Sequence, residues 1–173
     1  MPNTSRGGFV LIELVATLVL IGVIGAFAGL FLYTGITGFL ASKRNSETAL
    51  SAQIALDRIS AELRHIASLP AANPPVPNVS ITYLSKDLPG TRRLRYDSGA
   101  RTINLDVTGV PNPMGEKPLL DKVATFSLAW DSANLDNAGG DEEIAAIFIG
   151  FTVIDVGTQF NVRIHPRFFI PKP

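Results

Sequence analysis

The chain has no cysteine among its 173 residues. Disulfide bonds, zinc sites built from thiolates and cysteine nucleophiles are therefore excluded. The 15 glycines and 12 prolines follow no fixed period, which excludes a collagen-like chain. The lack of cysteine does not identify the compartment, because a domain of this size can be stable in an oxidising space without a disulfide.

Charge is almost absent from the first 42 residues, where Arg6 and Glu13 are the two charged side chains. The rest of the chain carries 14 basic and 14 acidic side chains, so the net charge of zero is the sum of two unequal parts. The mean hydropathy of +0.26 is likewise an average over a nearly uncharged segment and a normally charged one. A fully water-soluble protein is therefore not expected.

An uncharged apolar run of 29 residues extends from Leu14 to Ser42. As a helix it would rise roughly 44 Å, whereas about 20 residues cross the hydrocarbon core of a bilayer. A secretory signal has a shorter apolar region, of about 7 to 15 residues, and ends at a small-residue cleavage site that this run lacks. The sequence thus predicts a retained membrane anchor. Because Arg6 lies on one side and Lys43 and Arg44 on the other, the positive-inside rule leaves its orientation open.

Glu13 lies at the edge of this run, within the string RGGFVLIELV of residues 6–15. A carboxylate at the bilayer centre costs about 2.5 to 3.5 kcal/mol, and less near the interface, so a nearby cation is expected. The string resembles the class III signal of type IV prepilins and pseudopilins, which has a short basic leader, Gly, Phe and then Glu at the fifth mature position. The resemblance implies that a prepilin peptidase cleaves between Gly8 and Phe9 and methylates the new amine of Phe9.

Cleavage would create an ammonium group at Phe9, four residues before Glu13 on the same helical face. This charge and the helix dipole both favour a carboxylate there. In a helical bundle the carboxylate can instead meet the amine of a neighbouring chain. The resemblance implies this second use, in which Glu13 sets the register of a growing filament. The alternative is that Glu13 reaches lipid headgroups and has no further role.

Glycines within the apolar run have two interpretations. Gly22, Gly25 and Gly29 can allow neighbouring helices to approach closely, or they can simply loosen the helix at a cost of about 1 kcal/mol each in water. No proline occurs between Pro2 and Pro70, so the helix has no proline kink. Compared with many major pilins, this difference favours a minor subunit or a pseudopilin.

The segment between Ser42 and Pro70 is charged and contains no helix breaker. Its apolar residues follow a spacing of 4, 3, 4 and 3, which predicts that the same helix continues to about Ser68 with one buried stripe. Charged side chains such as Glu62 are expected on the other faces. We expect the stripe to pack within the molecule, with a short coiled coil as the alternative. The stripe consists of Ala52, Leu56, Ile59, Leu63 and Ile66.

Strand-like runs follow a proline-rich break at residues 70–77. Residues 97–100 predict a tight hairpin with a positive φ at Gly99. Residues 145–154 are apolar on both faces and predict a central strand. The predicted strands are Ser80–Leu84, Arg92–Tyr96, Arg101–Val107, Val123–Trp130, Ile144–Ile154 and Phe160–Ile170, the last interrupted at Pro166.

The predicted fold class is α+β, with a long N-terminal helix packed on a C-terminal antiparallel sheet as a pilin-like roll. We predict a leader at 1–8, a transmembrane or filament-core helix at 9–42, its amphipathic continuation at 43–69 and a β-rich extracytoplasmic domain at 70–173. Residues 49–69 and the phrase PLLDKVATFSLAWD resemble the J-type minor pseudopilins of type II secretion and the related W-type minor pilins.

Catalytic signatures are missing from the sequence: it has no GxSxG, phosphate-binding loop or HExxH motif, so we expect neither an enzyme nor a cofactor. His65 and His165 are expected to be surface or interface residues. An acidic stretch offers the oxygen ligands that calcium prefers but lacks EF-hand spacing, so a solvated loop is expected. Its carboxylates include Asp131, Asp136, Asp141 and Glu142.

A basic hairpin suggests a different kind of function, DNA binding during uptake. Nearby acidic residues and the neutral domain instead favour a solvated or partner-facing surface, so nucleic acid is not an expected partner. The hairpin residues are Arg92, Arg93, Arg95, Tyr96 and Arg101.

The resemblance implies a minor pilin or pseudopilin that assembles through its N-terminal helix, at the tip of a type II secretion pseudopilus or type IV pilus. Implied partners are other major and minor subunits, the prepilin peptidase, an inner-membrane platform protein, an assembly ATPase and, before assembly, membrane lipid. The implied location is the cytoplasmic membrane, with a cytoplasmic N-terminus and a periplasmic domain. The alternatives are a DNA-binding minor pilin of a competence pilus and a generic signal-anchored domain.

Overall fold

A computed structural model describes residues 11–113, 115–136, 142–154 and 156–172. These residues form one long helix and eight strands in antiparallel sheets, which confirms the α+β prediction. The helix α1 spans Leu11–Arg64. The chain divides into two compact units, Met1–Arg44 and Asn45–Pro173, so that α1 contributes to both.

The strands of the second unit form two sheets rather than one. Strands β1 to β5 make a five-stranded sheet in sequential order, and β6 to β8 make a three-stranded sheet with β7 in the centre. Every pairing is antiparallel. The strands are β1 Ile66–Ser68, β2 Ser80–Ser85, β3 Thr91–Asp97, β4 Thr102–Thr108, β5 Lys117–Leu120, β6 Val123–Ala133, β7 Glu143–Val153 and β8 Gln159–Ile164.

Most predicted strands are present, with corrected ends. Residues 145–153 of the predicted apolar run lie on β7, the central strand of the three-stranded sheet, as predicted. The last strand ends at Ile164 instead of extending to Ile170, and the short strands β1 and β5 were not predicted. Both are three or four residues long, too short for an alternating pattern to identify them.

The end of α1 differs from the prediction of a helix to Ser68. The helix ends at Arg64, and Ile66 is buried from strand β1 instead of from the helix. Distant backbone groups satisfy its last carbonyls: Arg167 N–H donates to Arg64 O at 3.1 Å, and Lys86 N–H donates to His65 O at 3.1 Å. Carbonyls at a helix end need donors because no further turn supplies them. Here the tertiary hydrogen bonds provide those donors.

The core of the second unit lies between the helix and both sheets. The stripe predicted on α1 is buried there, together with Ala55, which confirms packing within the molecule. On the strands, every second side chain points inward, and those of both sheets complete this core. The largest fully buried side chains include Ile59, Leu63, Ile81, Tyr83, Ile103, Leu128, Ile147, Ile149 and Phe151.

The hairpin between β3 and β4 is present, but its positive φ is not at Gly99. Arg101 has a φ of 56°, and Gly99 does not have a positive φ. Asp97 organises the turn, because its Oδ1 accepts hydrogen bonds from the N–H groups of Ala100 and Gly99 at 2.9 Å. The bond from Ala100, followed by the bond from Gly99 and the charge of Arg95, lowers the pKa of the Asp97 carboxyl.

Gly90 precedes β3 with a φ of 88°, and a Cβ at this position would lie 2.5 Å from the carbonyl oxygen of Thr108. We expect Gly90→Ala to lower the free energy of unfolding by about 1 to 3 kcal/mol, because the backbone conformation and the clash both oppose a side chain. Denaturant unfolding of the full chain in detergent measures the loss.

Gly157 provides the matched control for this variant. Its φ is 67°, and nothing lies within 4 Å of its Cβ position, so Gly157→Ala tests the conformational cost alone, about 1 kcal/mol. Equal losses for the two variants would show that the contact with Thr108 is irrelevant.

Candidate functional site

The first unit contains an apolar helical surface whose described side chains are exposed. Within the described residues, α1 has the length and composition of a membrane span, and its most apolar part is not buried. An exposed apolar surface of this kind is compatible with surrounding lipid or other helices. The exposed side chains include Leu18, Ile21, Phe27, Leu30, Phe31 and Phe39.

Threonine hydroxyls within this part of α1 are satisfied by the helix itself. The hydroxyls of Thr34 and Thr37 donate to the carbonyl oxygens of Leu30 and Tyr33, each at 2.9 Å. Internal hydrogen bonding of this kind is what a nonpolar environment demands, since it offers no water to the hydroxyl groups. Both threonine hydroxyls are therefore hydrogen-bonded within the helix.

Glu13 is the acidic residue in the first described turn of α1. Gly8 and Phe9, which the sequence predicts as the cleavage site, lie outside the described residues. The register role of Glu13 therefore stays a prediction. Its position at the start of the helix is the one at which a carboxylate is favoured by the helix dipole.

Three of the five glycines of the apolar run were predicted to face a neighbouring helix, and they leave part of the helix surface open. No atom lies within 4 Å of a Cβ placed at Gly22, Gly25 or Gly29. Small residues at such positions let a second helix approach closely. The helix-packing role of these glycines stays a prediction, because the chain supplies no second helix among its described residues.

The polar cluster of the second unit centres on Glu62, a side chain only 5% exposed. Arg92 binds both of its oxygens, with Nε 2.7 Å from Oε2 and Nη2 3.1 Å from Oε1. Arg58 adds an ion pair, with Nη2 2.8 Å from Oε1. Tyr83 O–H donates to Oε2 at 3.2 Å. Helix α1 is thus joined to strands β2 and β3 by a bidentate ion pair and a hydrogen bond.

Tyr83 is fully buried at this cluster. Burial and the neighbouring carboxylate of Glu62 raise the pKa of its hydroxyl, which remains neutral and donates the hydrogen bond. Glu62 was predicted on an exposed face, and this prediction is wrong. The spacing of 4 and 3 from Ala55 through Ile59 to Glu62 is a signal that places it on the buried face.

The basic hairpin does not present all of its arginines to solvent. Arg92 is buried against Glu62. Arg95 is shared between Asp97 at 3.2 Å and Glu116 at 3.3 Å. A phosphate backbone would have to displace these carboxylates, which reduces the case for DNA binding by this hairpin.

The acidic stretch has partners of its own. Arg163 lies 3.9 Å from Asp131. Glu142 contacts Lys172 Nζ at 2.8 Å and accepts a hydrogen bond from Ser132 at 2.7 Å, and these contacts, with that to Lys172 first, lower the pKa of its carboxyl. Within the described ranges, which contain Asp136 and omit Asp141, no group of three or more acidic or histidine side chains is placed to hold a metal.

The two histidines occupy separate places. His65 follows the last residue of α1, and its Nδ1 contacts Asp87 Oδ2. The Nδ1 atom of His165 lies 2.9 Å from the carbonyl oxygen of Ala145. Each ring thus contacts one oxygen, and the two do not form a common site.

No family model, curated protein or solved structure matches this chain. The architecture itself, a long apolar N-terminal helix with an antiparallel β unit, is compatible with a pilin-like fold.

Proposed function

We propose that this chain is a minor pilin or pseudopilin, a structural subunit that assembles through its N-terminal helix into an extracytoplasmic filament. The observation that carries the proposal is α1 itself, whose apolar surface is exposed along the first unit while its later turns belong to the core of a β-rich domain. A helix of this kind suits a subunit held first by lipid and then by other helices.

Assembly in this proposal exchanges lipid contacts for helix contacts. Gly22, Gly25 and Gly29 let a neighbouring helix approach, and the apolar side chains between them fill the contact. Glu13 neutralises the methylated amine of Phe9 on an adjacent subunit. An ion pair in a nonpolar filament core strongly favours one axial position, because a shifted helix leaves both charges unpaired.

The proposal includes the location and partners of the subunit. Before assembly the chain crosses the cytoplasmic membrane once, with residues 1–8 on the cytoplasmic side, where a prepilin peptidase removes them. A platform protein and an assembly ATPase then move the subunit into the filament, where it meets other pilins or pseudopilins. Its role is mechanical, and we assign no catalytic activity to it.

Glu13→Ala tests the register role. We expect cleavage after Gly8 to persist and the amount of subunit in sheared filaments to fall by about tenfold or more. An unpaired ammonium in the apolar core costs about 2.5 to 3.5 kcal/mol, and 1.4 kcal/mol already corresponds to a factor of ten. Mass spectrometry of the mature N-terminus and immunoblotting of the filament fraction measure the two steps.

Glu47→Ala is the control, since Glu47 is an exposed acidic residue on the same helix outside the apolar run. It should be incorporated like the unmodified chain. Normal incorporation of the Glu13→Ala subunit would refute the register role. An uncleaved N-terminus on the unmodified chain would refute the assignment to the prepilin class.

A further inference from the structure

Strand β8 forms one edge of the three-stranded sheet, in which the strand order is β6, β7, β8. In the part of the chain that the structure describes, β8 pairs with β7 alone, and no loop backbone hydrogen-bonds to residues 159–164. In an antiparallel pair, alternate residues hydrogen-bond to the neighbouring strand, and the residues between them direct their N–H and C=O groups to the other side. The outer row of backbone groups on β8 therefore has no partner among the described residues.

The other sheet edges are covered or short. On β6, at the opposite edge of the same sheet, Leu128 O accepts from Asn78 N–H and Leu128 N–H donates to Asn78 Oδ1, both at 3.1 Å. In the five-stranded sheet, the edge strand β1 has three residues, and β5 has four and includes Pro118. Covering loops, short strands and proline are the usual protection of a sheet edge against pairing with other chains. Strand β8 has six residues and no proline, so it lacks this protection.

A groove of about 350 Å³ lies between β8 and α1. Val162 lines it from β8, and Ala61 lines it from α1. Val162 and Phe160 face the core but are only partly buried, because no further strand lies beside them. The remaining charged residues of the groove, Asp57 and Arg64, have opposite signs, so the groove suits an uncharged side chain. An apolar side chain on an added strand would cover Val162 and enter this groove.

The outward side chains of β8 are polar and exposed, namely those of Gln159, Asn161 and Arg163. A charged side chain can protect an edge by opposing an incoming strand. The guanidinium of Arg163, however, lies over the ring of Phe148 on β7, 5.0 Å from the ring centre, and so turns away from the open edge. The edge is therefore accessible to a strand that alternates in the same way, with apolar side chains inward and polar side chains outward.

We propose that β8 accepts an extended segment of another filament subunit as a fourth strand of this sheet. The inference rests on the proposed function, since it assigns a contact to a subunit that assembles. An extended polypeptide matches a row of backbone donors and acceptors at strand spacing, whereas lipid and nucleic acid offer no such row. Main-chain hydrogen bonds would hold the segment, and the groove beside Val162 would select an apolar side chain in it.

Single cysteines test the proposal in the full-length chain, because the sequence has no cysteine of its own. Asn161→Cys and Arg163→Cys each carry a short photo-crosslinker on the same face of β8, and crosslinking is done in sheared filaments. Strand addition predicts that both positions attach to one segment of another subunit. The two attachment sites should be shifted by about two residues, since paired strands share one spacing. Mass spectrometry of the crosslinked peptides identifies both sites.

Ala129→Cys is the matched control. Ala129 lies on the opposite edge strand β6, in the same row as Phe148 and Arg163, and faces the same side of the sheet. It is expected to give no crosslink to another subunit. The proposal is overturned by equal crosslinking from Ala129→Cys, by no crosslink from either β8 position, or by attachment to lipid or to unrelated segments.

Val162→Lys tests the contribution of the contact to assembly, because an inward charge at a sheet edge opposes strand addition. Its amount in sheared filaments is expected to fall by about tenfold, whereas Val162→Ile should stay within about threefold of the unmodified chain. A thermal midpoint in detergent within about 4 °C of the unmodified chain shows that the variant is folded. If it unfolds, the crosslinking result decides.

Normal incorporation of a folded Val162→Lys chain also overturns the proposal. If the unmodified chain is itself missing from sheared filaments, the proposed function fails. That result is distinct from filaments that contain the subunit and show no crosslink at β8.

Discussion

Arg92→Ala is expected to lower the free energy of unfolding by about 3 to 5 kcal/mol. The variant leaves the carboxylate of Glu62 buried and without its bidentate partner. Arg58 is too exposed to replace that pairing. Trp130 is the one tryptophan in the sequence and lies on β6, so its fluorescence during denaturation in detergent reports on this unit.

Arg58→Ala is the control for this measurement, because it removes an arginine from the same carboxylate at the surface. Its cost should stay below about 1 kcal/mol, as for other exposed ion pairs. Replacing both Glu62 and Arg92 by leucine and methionine should cost less than Arg92→Ala, since no buried charge is left alone. Similar losses for Arg92→Ala and Arg58→Ala would contradict the buried network.

Ile59→Ala is expected to lower the free energy of unfolding by about 2 to 5 kcal/mol. Its side chain has no exposed surface and lies in the cluster formed by α1 and both sheets. Removing three carbon atoms there loses apolar burial and leaves a cavity that the rigid strands can close only in part. Thermal or denaturant unfolding, again followed by Trp130, measures the loss.

Ile54→Ala provides the comparison on the same helix. Ile54 is 60% exposed, so the same truncation should change stability by no more than about 0.5 kcal/mol. The residue type, the helix and the substitution are the same in both variants, so the difference between their losses of stability measures the effect of burial. A loss at Ile54 equal to that at Ile59 would mean that the assigned buried face of α1 is wrong.

Periodicity predicted the helix and its buried stripe because the 3.6-residue repeat of an amphipathic helix is visible over many residues. The spacing of Leu56, Ile59 and Leu63 continues in phase to Ile66, yet Ile66 lies on a strand. Sequence alone could not show this, because the helix stops where hydrogen bonds from Arg167 and Lys86 become available. Those donors are brought to the helix end only by the tertiary fold.

The buried ion pair shows a different limit of sequence reasoning. On β3, the buried residues Arg92 and Leu94 lie on either side of the exposed Arg93. An arginine in that phase is ordinarily assigned to the surface, because burial of a charge is costly without a partner. Burial of Arg92 and of Glu62 is explained only by their ion pair. The two residues are 30 positions apart, so a short stretch of sequence does not contain both.

The apolar part of α1 could be predicted from the sequence, whereas its partners could not. The apolar run and the position of Glu13 are properties of the sequence itself, and the helix of the structure contains both. The partner of Glu13 lies on another molecule in our proposal, so neither the sequence nor a single chain defines it. The Glu62 cluster is visible only in the structure, where Arg92 and Tyr83 donate hydrogen bonds to its carboxylate.

The hydrogen bond from Arg167 to the carbonyl of Arg64 affects the timing of folding. The two residues are more than 100 positions apart, so the ribosome completes α1 long before it adds the segment that closes the helix end. Contacts this distant in sequence form late and slow the folding of the whole unit. The end of α1 in a nascent chain therefore stays without this hydrogen bond until the last residues of the chain have been added.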